Sequence, residues 1–164
     1  MSFAFDPERP RAINGWLVLA LPEVERRYVE LRRRVLELRQ RLAEEDYLRH
    51  PTVRLFASVL RLLTNTIPEA PDAPEFKLEG SLGKFRRAKK HGLPPRYRLF
   101  WVFSSRLRVI IFLYLNDETT LRKEGAKTDP YRVFQRMIDR GEIGADFEAN
   151  LELWRRTHPS TQQQ

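Results

Sequence analysis

The chain has no cysteine among its 164 residues, which excludes disulfides and thiolate metal sites and suits a reducing compartment. Its three histidines, His50, His91 and His158, fall at no metal-ligand spacing. No Walker-type glycine loop and no GxSxG elbow is present, so the usual nucleotide-hydrolysis and serine-hydrolase readings have no anchor. Long hydrophobic runs are missing too: the longest, residues 109–115, is far too short to span a bilayer. Residues 1–12 lack the continuous apolar region of a secretory signal. Together these absences lead us to expect a cytoplasmic, soluble protein. The most telling absence is local. Residues 81–116 contain no Asp or Glu.

That same stretch holds nine cations: Lys84, Arg86, Arg87, Lys89, Lys90, Arg96, Arg98, Arg106 and Arg108. Elsewhere 21 basic and 22 acidic residues nearly cancel, so the surplus of +8 is concentrated here. A local positive field attracts polyanions, and we read the polyanion as RNA. The cations are overwhelmingly Arg, which suits phosphate binding and is equally the mark of a GC-rich genome.

The length fits one domain with its own core. Residues 1–66 read as a helical N-terminal part, 67–75 as a Pro-rich linker or surface loop, 76–156 as sheet and C-terminal helices, and 157–164 as a disordered tail. The segment Trp16, Leu17, Val18, Leu19 and Leu21 looks like an apolar anchor ending at Pro22. After it, Val24, Tyr28, Leu31, Val35, Leu38 and Leu42 recur at helical spacing on one face. The opposite face, with Arg26, Arg27, Arg32, Arg33, Arg34, Arg39 and Arg41 among glutamates, reads as solvated. Pro51 opens a second helix to about residue 65, with Leu55, Val59, Leu62 and Leu63 inward. Residues 76–78 suggest a short edge strand, and residues 84–90 a twisted basic strand.

Residues 97–103 and 107–115 are rich in aromatic and β-branched types and read as an antiparallel hairpin around Ser104, Ser105 and Arg106. Asn116, Asp117 and Thr119 mark a turn. Asp129 is placed to cap a helix with Pro130 in its first turn and Tyr131, Phe134, Met137 and Ile138 inward, stopped by Gly141 and Gly144. A last helix, residues 146 to about 155, offers Phe147, Leu151 and Trp154 to the core.

Alternation along the first hairpin strand sets Tyr97, Leu99, Trp101 and Phe103 on one side, and Arg98, Phe100 and Val102 on the other. An Arg in an apolar strand is costly unless paired or wet. Arg98 therefore either pairs with Asp117 or Glu118, or opens onto a concave face where it grips a phosphate bidentately. With no metal cluster in view, a nuclease built from these residues would use the RNA 2′-hydroxyl against the neighbouring phosphate. That reaction needs cationic stabilisation and a proton acceptor. Arg does not deprotonate, whereas a Lys crowded by cations can. Lys89 and Lys127 are the candidates, with His91 in reserve, although His91 also reads as an ordinary loop residue.

The run of SLG at 81–83, RAK at 87–89, RYRLFW at 96–101, VII at 109–111 and LNDETTLRKEGAKTDPYRVFQRMIDRG at 115–141 resembles the YhaV toxins of bacterial type II toxin–antitoxin pairs. Asn14-Gly15-Trp16 and His50-Pro51 also resemble that family. The resemblance implies an α+β, RelE-like fold: an antiparallel sheet of about four strands, an N-terminal helical pair, and C-terminal helices packed on one side. It implies ribonuclease activity on mRNA, commonly at the ribosome, without metal or other cofactor. A PrlF-like antitoxin with an AbrB-type domain, linking the pair to operator DNA, is the implied partner. Carried over by motif, Arg87, Lys89, Arg98, Lys127 and Tyr131 are the expected catalytic group. Lys84, Arg86, Lys90, Arg96 and Arg122 are the expected RNA contacts. The chain departs from the family pattern at Lys90, where an aromatic is expected, and Tyr131 reads equally as core. Two other functions stay open: a basic protein that blocks translation by occupancy, and a partner acting mainly with its antitoxin in autoregulation.

Overall fold

A computed structural model describes residues 5–117 and 129–159. Glu118, Thr119, Arg122, Lys127 and the tail from residue 160 lie outside the described residues. The elements in chain order are β1 (Ala12–Ile13), β2 (Trp16–Ala20), α1 (Pro22–Arg41), α2 (Glu44–Arg49) and α3 (Pro51–Arg61). A π turn, Leu62–Thr66, runs into α4 (Ile67–Glu69). Then come β3 (Arg86–Ala88), β4 (Leu99–Ser104), β5 (Val109–Leu115), α5 (Pro130–Asp139) and α6 (Phe147–Thr157).

The α+β class is as expected, but the sheet is not. Among the described residues it has five strands in the order β1-β2-β5-β4-β3, and β2 runs parallel to β5. The anchor segment is thus a strand near the middle of a mixed sheet. Its run of buried Val18, Leu19 and Ala20 suits a strand covered on both faces, where alternation disappears. The expected edge strand at 76–78 reduces to a single bridge between Lys77 and Arg86, because Pro74–Phe76 forms a 3-10 turn.

The hairpin follows its sequence pattern. β4 and β5 pair antiparallel, with a register shift between Phe100 and Trp101 that leaves Leu113 unmatched. Tyr97, Leu99 and Trp101 join one core cluster, and Phe100 and Val102 join the other. Each cluster lies under a different pair of helices. α1 and α3 cover one face through Val24, Tyr28, Leu31, Phe56 and Val59. α5 and α6 cover the other through Phe134, Met137 and Trp154. Helices on both sides correct the one-sided packing, and the reason is plain: every residue of β5 is buried, so both faces need a cover.

On α1 the inward stripe holds Val24, Tyr28, Leu31 and Val35, each worth about 1.5–3 kcal/mol on burial. Its outer face carries exposed pairs such as Arg33–Glu37 at 2.7 Å, worth about 0.3–0.5 kcal/mol each. Arg27 is the exception to the solvated reading, since it is buried. The second helix continues beyond residue 65 because the π turn brings Leu62, Leu63 and Ile67 all into the core. The Pro-rich segment is pinned rather than loose. Trp101 Nε1 donates to the Pro71 carbonyl at 3.2 Å, and Phe76 meets the Trp101 ring edge-on at 4.9 Å.

Candidate functional site

Three elements converge at the end of the sheet where β4 begins and β5 ends. β3 pairs with β4 so that Arg87 stands opposite Phe100 and Arg86 opposite Trp101. Opposite residues share a face, so Arg87 joins Phe100 on the α5–α6 side while Arg86 points to the other. Arg98, two residues before Phe100, shares that side with Arg87. By that register Arg87 and Arg98 are diagonal neighbours, a spacing that long side chains span.

Arg87 is buried, 8% exposed as a residue. One Nη2 donates to the Lys77 carbonyl at 3.3 Å, and Nε has no hydrogen-bond partner among the described residues. A buried N–H left without a partner costs about 1–3 kcal/mol, so an acceptor brought to Arg87 is favoured. Arg98 is half-buried and more fully held. Its Nε donates to the Tyr131 hydroxyl at 3.1 Å, its Nη1 to the Tyr97 carbonyl at 2.8 Å, and its charge lies 5.8 Å from the Tyr131 ring. Among the described residues Arg98 makes no ion pair, so Asp117 is not its counter-ion.

Tyr131 reaches this position because Asp129 caps α5, accepting from the Tyr131 backbone N–H at 2.8 Å. Its ring meets Phe100 edge-on at 5.7 Å, so it serves the core with its ring and Arg98 with its oxygen. Asn116, fully buried, supplies what the sequence reading missed. Its Oδ1 accepts from the Arg98 N–H at 2.6 Å and its Nδ2 donates to the Arg96 carbonyl at 2.9 Å. It clamps the strand that carries Arg98, and it holds Arg96 in a left-handed conformation (φ 70°) that a β-carbon disfavours. Only its place at the end of an apolar strand hinted at this.

The other expected residues scatter. Lys84, Lys89, Lys90 and Arg96 are exposed. Lys89 and Lys90 line a 240 Å³ cleft with Glu75, Phe76 and His91, and His91 Nε2 lies 3.1 Å from Glu75. Arg86 is bound to Asp72 at 2.8 Å and to the Gly83 and Phe85 carbonyls, on the face away from Arg98. Lys127 and Arg122 lie outside the described residues. The site therefore presents two guanidiniums and a phenol on one sheet face. Such a set can bind a phosphodiester and stabilise charge that builds on it. Among the described residues no group of His, Asp or Glu is placed to hold a metal ion.

Residues 18–154 match a family described as toxins with endonuclease activity, of toxin–antitoxin systems. The chain is 36% identical over 153 residues to the ribonuclease toxin YhaV of Escherichia coli K12, covering 91% of this chain and 98% of that one. It is similar to the same extent to the toxin YhaV of Escherichia coli O157:H7. No solved structure gives a significant match. On the family match and on relatives of this identity and coverage, the chain belongs to the YhaV family of toxins with endonuclease activity.

Proposed function

We propose that this chain is a cytoplasmic, metal-independent endoribonuclease that cleaves mRNA, at the ribosome, and is held in check by a PrlF-like antitoxin through which it reaches operator DNA. The observation that carries the reading is the buried Arg87, its Nε without a partner among the described residues, on the same sheet face as Arg98. A cation held in that way favours a ligand that gathers negative charge as it reacts, as a phosphodiester does. The α+β architecture with its antiparallel β3–β4–β5 unit supports RelE-like kinship and a single toxin domain.

In this mechanism the 2′-hydroxyl oxygen attacks the adjacent phosphorus and gives its proton to a lysine, Lys89 or Lys127. The bond to the 5′-oxygen breaks, and that oxygen leaves with the proton that the lysine has received. The products carry a 2′,3′-cyclic phosphate and a 5′-hydroxyl. Arg87 and Arg98 neutralise the charge gathering on the non-bridging oxygens. Tyr131 accepts from Arg98 through its oxygen, which leaves its own proton to donate toward the phosphate. Lys84, Lys90, Arg96 and Arg122 track the backbone around the site, whereas Arg86 is committed to Asp72 and serves the fold.

The test is induced expression of the wild-type chain beside an Arg87→Ala, Arg98→Ala variant, with mapping of cellular RNA 5′ ends. New mRNA ends and growth arrest in the wild type alone are the expected result. Arrest without new ends would instead indicate inhibition by occupancy.

A further inference from the structure

A second cationic feature lies one helix turn beyond the site. α5 and its C-cap carry Arg132, Arg136 and Arg140 at four-residue spacing, all exposed, so their stems succeed one another about every 6 Å along the helix axis. Facing α5 across an open cleft of 470 Å³ is the first part of α1, and Arg26, Arg27, Arg136 and Arg140 all line that cleft. Arg27 is 3% exposed, and Arg26 is bound to Glu23 at 2.9 Å, which holds it firmly protonated. Tyr114, Val133 and Met137 supply the apolar part of the lining. The cleft reaches Asp117, which directly follows the Asn116 clamp, and Val133, two residues after Tyr131.

We propose that this cleft holds a nucleotide of the RNA strand flanking the scissile phosphate, with backbone phosphates on Arg136 and Arg140 and the base against Tyr114, Val133 and Met137. The inference rests on the ribonuclease reading above. Guanidiniums repeated along a helix follow a phosphate chain, and the apolar lining receives the face of a base. Glu23, Asp117 and Glu142 also line the cleft, and carboxylates accept the exocyclic amino groups of bases. Those carboxylates repel RNA phosphates and an acidic protein segment alike; what favours a nucleotide is the apolar wall of Tyr114, Val133 and Met137 beside Arg136 and Arg140, which suits a flat base next to its phosphate.

The experiment measures binding of a short, fully 2′-O-methylated RNA, which lacks the attacking hydroxyl, by fluorescence anisotropy over a range of salt. The proteins are the purified full chain and an Arg136→Ala, Arg140→Ala variant, whose exposed positions spare the core. Expected is a loss of affinity of about tenfold, and a slope of log Kd against log salt lower by about 1.4, as two lost phosphate contacts require. An unchanged affinity and slope would overturn the inference while leaving the ribonuclease reading standing. Failure of the wild type to bind RNA at all would instead overturn that reading. Weakened capture of an acidic protein partner with RNA affinity intact would assign the cleft to protein, and also overturn the inference.

Discussion

Replacing Asn116 with Ala tests whether the strand bearing Arg98 is held by its neighbour or stands by itself. The substitution removes the acceptor of the Arg98 N–H at 2.6 Å and the donor to the Arg96 carbonyl at 2.9 Å. Each orphaned backbone group costs about 1–3 kcal/mol when buried, and these two are only partly so, which sets a loss of about 2–4 kcal/mol. For a chain of this size each kcal/mol lowers Tm by about 2–4 °C, so a fall of roughly 4–16 °C is expected by calorimetry. The functional consequence is separate. Freed of the clamp, residue 96 can relax from its left-handed conformation and carry Arg98 away from Tyr131. A displacement of about 1 Å in such a site lowers the chemical step about 100-fold. RNA cleavage followed in single turnover well below the variant's Tm measures that loss. A variant that melts early yet cleaves at the wild-type rate would refute the positioning role, and one that melts normally would refute the energetic argument as well.

Tyr131→Phe keeps the ring against Phe100 and deletes the hydroxyl that receives Arg98 Nε; we expect cleavage to fall about 10- to 100-fold with Tm changed by only a few degrees, read by single-turnover assay and melting. Tyr28 is fully buried, donates to the Phe5 carbonyl at 2.7 Å, and has its pKa pushed by burial up to about 12. A folded pKa above the unfolded value of about 10 means the stabilisation is complete below pH ~10 and is lost as pH rises toward ~12. Urea titrations across that window should show the decline, and Tyr28→Phe should flatten it. Gly144→Ala would place a β-carbon 2.6 Å from Ala149 Cβ and 2.8 Å from the Asn150 nitrogen, so α6 must shift; a loss of about 1–3 kcal/mol in denaturant unfolding is expected.

Much of this architecture is written locally. The β4–β5 hairpin, the two faces of β4, and the capped start of α5 follow from alternation and from Asp129-Pro130 alone. What escaped depends on distant partners. β2 is five residues long, and an apolar run of that length between Gly15 and Pro22 reads the same as strand or anchor until β5, far downstream, pairs with it. Arg27 flanks the stripe of Val24, Tyr28 and Leu31 by helical angle, yet its charge made it read as solvent-facing. At the site, Arg98 was legible from strand period, and its bond to Tyr131 was not, since that needs α5 folded over the sheet. Arg86 and Arg87 look alike in sequence. Only the register with β4 sends one to Asp72 and the other to the site. Arg136 and Arg140 acquire meaning only with α1 opposite.

The central claim is that Arg98, set beside Arg87, stabilises charge on the reacting phosphate. It is tested most directly by single-turnover cleavage of RNA by the wild type and Arg98→Ala, with binding of 2′-O-methylated RNA measured in parallel. The account predicts product ends bearing 2′,3′-cyclic phosphate, and a cleavage step slower by at least about 100-fold in the variant while affinity falls far less. Cleavage within a few-fold of wild type in Arg98→Ala would contradict it.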